Sequence, residues 1–184
     1  MDFQCGVEPM TSTVHIQRLT AADASALVPD LAALLQDAVA SGASVGYLPP
    51  LASDTAVEYW RDVIATLRGP DRLLLIAKVG DRLAGTVQLD MATRPNGRHR
   101  AEVAKLMVHT SFRRQGIGRA LMHAIEQEAR QAGRTTLVLD TREGDPSVAL
   151  YEGLGYQKAG TIPEFARSAD GSLHTTVFMY KLLR

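Results

Sequence analysis

The sequence predicts an α+β domain built on one central sheet, mixed but mostly antiparallel, of about six or seven strands flanked by about four helices. Three observations predict it. Apolar runs bounded by turn residues follow one another through the middle of the chain, as in a meander. From about residue 116 onward, strand-like and helix-like runs alternate. The 184 residues, 46% hydrophobic and 22% charged, suit one globular domain with a sizeable core.

Residues 1–13 read as a flexible tail ahead of a single domain over 14–184. Val14 to Leu19 alternates as a first strand, and Thr20 is a natural N-cap for a helix over about 21–40 carrying Ala26, Leu27, Leu31, Leu34 and Leu35 on one stripe. Gly42 to Pro50 breaks regular structure, and Ser53 starts a second helix to about Arg68 with Val57, Trp60, Val63, Ile64 and Leu67 at helical spacing, where Trp60 reads as packing. Leu73 to Ala77 is a buried strand that Gly80-Asp81 turns into a second over Leu83 to Ala92. Pro95-Asn96-Gly97 is a turn before a strand over about 100–109. A helix over about 116–132 ends at Gly133, a strand runs from Thr135 to Asp140, and Pro146 opens a short helix ending near Gly153. Strands over about 156–166 and 173–182, joined by Asp170-Gly171, complete the sheet.

Composition narrows the function. Twenty basic and twenty acidic side chains cancel, so no global field attracts nucleic acid or an anionic membrane, and any phosphate site must be local. The lone Cys5 excludes an internal disulfide, residues 1–12 lack a signal-peptide layout, and no apolar run approaches the ~18 residues that span a bilayer, which together point to the cytoplasm. His15, His109, His123 and His174 show no metal-ligand spacing, so no metal is expected.

The stretch Arg113-Arg114-Gln115-Gly116-Ile117-Gly118 says most about chemistry. It follows the apolar run Leu106-Met107-Val108 and leads straight into a helix, so backbone N–H groups at the positive end of a helix dipole are left for phosphate oxygens. Two arginines add charge-assisted donors and two glycines admit a ligand close to the backbone. The loop is not a P-loop, because Arg119-Ala120 follows where Lys-Ser/Thr is needed, nor a dinucleotide fingerprint, because Leu121 replaces the third glycine.

What remains is Arg/Gln-x-x-Gly-x-Gly/Ala, with Arg113, Gly116 and Gly118 in the pattern positions. This resembles the acyl-CoA pyrophosphate loop of the GCN5-related N-acetyltransferase (GNAT) superfamily. The context agrees: a strand before the loop, a helix after it, a further strand, and Ala149-Leu150-Tyr151-Glu152-Gly153-Leu154-Gly155-Tyr156, similar to the superfamily's tyrosine segment. The resemblance implies a three-layer fold, acetyl-CoA as cosubstrate, and coenzyme contacts by Leu106, Met107, Val108, Arg113, Arg114, Gln115, Gly116, Ile117, Gly118, Arg119, Ala120 and Tyr151. One departure is Gly144, where many members carry Asn; Ser147 is the candidate substitute. Further stretches, among them Gly42 to Gly46, Pro95-Asn96-Gly97, Ala101-Glu102-Val103 and Asp170-Gly171-x-Leu173-His174, look like the tabtoxin-resistance branch, whose activity is acetylation of the amine of a β-lactam amino-acid toxin.

Acetyl transfer to an amine needs a base for the amine proton, donors for the charge that builds on the carbonyl oxygen, and an acid for the departing thiolate. Glu102, eleven residues before Arg113, resembles the general-base position of GNAT histone acetyltransferases, and Asp140 lies where the tabtoxin-resistance resemblance implies a catalytic carboxylate. Each has a plainer reading: Glu102 as an exposed strand residue, Asp140 as a turn residue capping Arg142-Glu143. A bulge near Leu106 to Val108 would free an N–H for the thioester oxygen and offer backbone to the pantetheine arm. Tyr151 is the candidate acid by resemblance; by periodicity alone it is a core residue. Ser44, Tyr47 and His174, with Glu102 and Asp140, are candidates to line the acceptor pocket. The leading expectation is an acetyl-CoA-dependent N-acetyltransferase of a small amine such as a toxin, antibiotic or amino-acid derivative, acting as a monomer or homodimer. A protein lysine or N-terminal acetyltransferase and a non-catalytic acyl-CoA sensor remain open at this point.

Overall fold

In a computed structural model, residues 13–184 are described; Cys5 and all of the expected tail except Thr13 lie outside them. The strands are β1 (Val14–Arg18), β2 (Arg72–Val79), β3 (Arg82–Met91), β4 (Arg100–Val108), β5 (Thr136–Arg142), β6 (Gln157–Arg167) and β7 (Leu173–Leu182). The helices are α1 (Ala21–Ala26), α2 (Val28–Ala40), α3 (Ser53–Thr66), α4 (Ile117–Gln131) and α5 (Pro146–Glu152). One seven-stranded sheet runs in the order β1-β2-β3-β4-β5-β7-β6, antiparallel throughout except where β4 meets β5. The fold is therefore the α+β sheet that the pattern predicts.

Thr20 caps α1 as expected and forms a reciprocal capping box with Asp23. The single helix expected over 21–40 is instead two, broken at Leu27, with Pro29 in the first turn of α2. A proline ring there would clash with a carbonyl four residues back, so a continuous helix cannot pass; the same ring suits a helix start. Ser53 is the first helical residue of α3 behind an Ala52 cap, and Gly133 takes the left-handed conformation (φ 70°) just past α4.

The continuous apolar run of β2 divides between two cores, because successive strand residues face opposite ways. Leu73 and Leu75 face α4 with Val87, Leu89, Val103, Leu121, Ile125 and Leu139; Leu74 and Ile76 face α1–α3 with Leu31, Leu35, Trp60 and Met107. Trp60 is fully buried, in keeping with a packing role. Helices on both sheet faces make three layers. Beyond β4 the layer of α1–α3 stops, and β6 is exposed along its whole length apart from Ala166. No helix among the described residues is long and apolar enough to cross a membrane.

One glycine on β3 locks the site's framework. A Cβ on Gly85 would lie 2.7 Å from the Met107 carbonyl oxygen and 3.1 Å from Leu121 Cδ1, between β4 and α4. Gly85→Ala is therefore expected to destabilise the fold by about 1–3 kcal/mol, the typical cost of overpacking, read as a lower midpoint in urea.

Candidate active site

The site begins with a fork in the sheet. β4 and β5 pair only from Arg100–Thr136 to Glu102–Val138; beyond that, β4 runs on to Val108 and β5 to Arg142 without pairing to each other. A bulge sits on the β4 arm: Ala104 pairs with Gln88 and Met107 with Thr86, so Lys105 and Leu106 together oppose Val87. Lys105 takes φ 52°, left-handed for a non-glycine residue. The extra residue reverses the side-chain alternation, so that Leu106 and Val108 face α4 while Met107 faces α2 and α3. The bulge lies one residue earlier than the Leu106–Val108 stretch expected from sequence, and Met107 and Val108 rejoin the ladder opposite Thr86 and Gly85.

The expected phosphate loop follows this arm. Arg114 (φ 64°) and Gly116 (φ 79°) are both left-handed, and Gly116 caps α4. Ala120 N–H makes the first intrahelical bond, to the Gly116 carbonyl. The N–H groups of Arg114, Gln115, Gly116, Ile117, Gly118 and Arg119 have no hydrogen-bond partner among the described residues. Such a concave run of N–H groups at a helix start fits a pyrophosphate, and the open fork beside it fits an extended pantetheine arm. Ile117 offers only backbone, since its side chain is buried, and Gly118 lets the helix start approach Leu150, whose Cδ2 would stand 3.4 Å from an added Cβ.

The arginines divide their work differently from the sequence reading. Arg113 does not turn its guanidinium into the loop: Nε donates to the Val108 carbonyl (3.2 Å) and Nη2 to Ser41 Oγ (2.6 Å), bracing the β4 arm against the end of α2. Arg119 donates to the Gly153 carbonyl at the end of α5 (3.3 Å). Arg114 is exposed and keeps its charge free for the loop. Ser147 hydrogen-bonds Thr141 across 2.6 Å and so ties α5 to the β5 arm.

Asp140 is not the strand end or turn cap that its place in the sequence allows. It lies inside β5 paired with Phe178, while the Glu143 N–H bonds the Thr175 carbonyl. Its side chain is exposed on the same face as Glu102, two residues past Glu102's partner Val138. The Thr176 hydroxyl stands 3.0 Å from both Asp140 Oδ2 and the Thr141 carbonyl, fixing the carboxylate. Glu102 opens to solvent at the fork, yet the protein around it, then Asp90 and Asp140, push its carboxyl above the usual carboxylate range; Lys105 and Arg72 oppose that rise. Tyr151 is buried at the base of α5, and burial, with Asp140 beside it, lifts its phenol to about 12. Asp140 thus acts as an anion on both Glu102 and Tyr151.

The acceptor candidates are less uniform. Tyr47 packs edge-on against Tyr59 at 5.8 Å, and the Tyr59 hydroxyl accepts from Gln88 Nε2 (2.9 Å) beside the bulge. Ser44 is exposed in the same loop. His174 shares the Asp140 face of β7, next along from Thr176, but its Nε2 meets Ser172 Oγ at 2.9 Å in the β6–β7 turn and no bond ties it to a carboxylate of the site. On the open side, Phe165 meets Phe178 edge-on at 5.7 Å, next to Asp140.

Three residues of the site escape the sequence pattern. Asp90 pairs in register with Glu102, Arg72 forms a salt bridge with Asp90, and Lys105 sends Nζ to the Val45 carbonyl (2.8 Å). A charged residue directly before Leu106-Met107-Val108 was the available signal for Lys105. No group of three or more metal-ligating side chains occurs among the described residues.

The acetyltransferase (GNAT) family model matches residues 35–156, from α2 through the loop and fork to Tyr156. An uncharacterized N-acetyltransferase encoded in the hisH-hisA intergenic region of Azospirillum brasilense is 34% identical over 116 residues, 62% of this chain and 67% of that protein. N-acetyltransferase 8B of Rattus norvegicus is 38% identical over 87 residues, 46% of this chain and 39% of that one, so this match takes in well under half of the relative's length. Among solved structures, yncA of Salmonella typhimurium, determined with its cofactor acetyl-CoA, superposes with a TM-score of 0.73 over 94% of this chain and 95% of that one. At 20% identity that likeness shows the fold alone.

Proposed function

This chain belongs to the acetyltransferase (GNAT) family, N-acetyltransferases that take their acetyl group from acetyl-CoA, and on that premise we propose that it acetylates the amine of a small molecule by direct attack on the thioester. What supports this reading is that Glu102 and Asp140 share one face where β4 and β5 part, beside the free N–H groups of the loop, with Tyr151 close enough for Asp140 to act on its phenol. A base, a counter-charge and an acid near one face suit acetyl transfer better than mere sensing of acyl-CoA.

Acetyl-CoA supplies an acetyl group activated as a thioester. Glu102 takes the proton of the incoming ammonium, and the Asp140 carboxylate, held by Thr176, orients that amine. An N–H of the bulged β4 arm faces the carbonyl oxygen on which negative charge builds as the C–N bond forms. Tyr151, whose phenol burial keeps protonated near neutral pH, donates to sulfur as the C–S bond breaks and coenzyme A leaves as the thiol, and the second proton lost by the attacking nitrogen restores the phenol. The Arg114–Arg119 N–H groups hold the pyrophosphate throughout.

The pKa of Glu102 sets the pH dependence. A base must be deprotonated to act, so activity is lost as pH falls through the Glu102 pKa, which burial and two neighbouring carboxylates raise. The acid limb of kcat/KM is therefore expected above the ordinary carboxylate range and to vanish in Glu102→Gln; an acid limb at an unperturbed carboxylate value counts against this role.

The tabtoxin-resistance resemblance makes a β-lactam amino-acid toxin such as tabtoxinine-β-lactam, or an antibiotic amine, the first acceptors to test. A thiol-release screen with acetyl-CoA against small amines, amino-acid derivatives and peptides is the direct test. Release with small amines supports the proposal; release with peptides alone replaces it by protein acetylation.

A further inference from the structure

Lys105 occupies an unusual position. It is the left-handed residue of the β4 bulge (φ 52°), so its backbone carries strain that a bulge at this point tolerates. Its ammonium crosses to the loop between α2 and α3 and donates to the Val45 carbonyl at 2.8 Å. Val45 is buried, and the adjoining Gly46 approaches the same ammonium, which would lie 3.5 Å from a Cβ placed there. One side chain thus fastens the Gly42–Leu48 loop to the arm that carries Leu106.

The surroundings are charged from every side. Asp90 on β3, Glu102 on β4 and Asp140 on β5 all act on Lys105 as anions, and Arg72 on β2 acts as a cation. Tyr47 of the loop packs edge-on against Tyr59 of α3. Arg72 is committed to Asp90, whereas among the described residues Lys105 makes no salt bridge, although Glu102 and Asp140 act on it.

We infer that Lys105 is a positioning residue of the acceptor site: its ammonium ties the Gly42–Leu48 loop to the bulge and sets a cation on the sheet face that Glu102 and Asp140 share. The inference rests on the small-amine reading for its functional meaning. Burial acts against the Lys105 charge while the three carboxylates sustain it, as a cation inside an anionic cluster requires.

Two measurements on the full chain test this without any acceptor. In Lys105→Met, amide hydrogen exchange at Ala43 and Val45, the hydrogen-bonded amides of the loop, is expected to be about tenfold faster than in the native protein, the effect of losing a charge-assisted hydrogen bond. In the same variant, with side-chain carboxyls of glutamate labelled with carbon-13 and the Glu102 signal assigned through Glu102→Gln, the Glu102 titration midpoint is expected to move upward. A side chain that only packs would leave that midpoint unmoved. Lys105→Leu, which also removes both the donor and the charge, carries both measurements if Lys105→Met does not fold. Unchanged exchange overturns the tether, and an unmoved midpoint overturns the charge role. A failed acceptor screen alters neither readout, so the two ideas fail separately.

Discussion

Glu102→Gln is expected to lower kcat by about 10²–10⁴-fold, the usual contribution of a positioned general base, while acetyl-CoA binds as before. The asymmetry follows from geometry. Glu102 sits where β4 and β5 part, on the face shared with Asp140, whereas the phosphate contacts we propose lie in the loop after β4. Glutamine keeps the shape and loses only the basicity. Equal losses in kcat and in acetyl-CoA affinity would instead mark Glu102 as structural. Steady-state kinetics paired with calorimetric titration of acetyl-CoA make the comparison.

Gly116→Val should give the mirror image. Gly116 holds φ 79° as the cap of α4, and space is not the constraint, since nothing lies within 4 Å of an added Cβ. Conformation is: a β-branched residue in the left-handed region is a strong outlier, so the loop must rearrange and its N–H groups cease to converge. Acetyl-CoA affinity is expected to fall about 100-fold, equivalent to about 2.7 kcal/mol. Thermal stabilisation by the coenzyme would shrink accordingly. A variant that binds acetyl-CoA normally would show that the phosphate site lies elsewhere.

The sequence carried the local parts of this architecture well. Glycines at positions 116 and 133, proline at 146 and the Thr20–Asp23 box act on their own neighbours, so helix ends are readable without tertiary knowledge. Pro29 was equally local, and the break it imposes at Leu27 follows from the ring's missing N–H. The fork and the bulge depend on register between strands distant in sequence. Nothing in Arg100 to Val108 alone states that pairing with β5 ends at Glu102, or that Lys105 and Leu106 share one partner. Arg113 shows the same limit in the opposite direction. The family-like pattern marks it for the coenzyme, yet its guanidinium serves Val108 and Ser41, 72 positions upstream. Asp90 and Arg72 join the site only through cross-strand pairing, which periodicity cannot supply.

We propose that the fork between β4 and β5 moves an acetyl group from acetyl-CoA to a small amine, with Glu102 as base. Incubation of the protein with acetyl-CoA carrying a labelled acetyl group and a panel of primary amines, with mass-spectrometric detection of the acetylated amine, tests it most directly. Labelled product is expected with at least one small amine from the native protein, and a loss of about 10²-fold or more with Glu102→Gln at full acetyl-CoA occupancy. Acetyl-CoA bound without any labelled product, or equal product from both proteins, would contradict it.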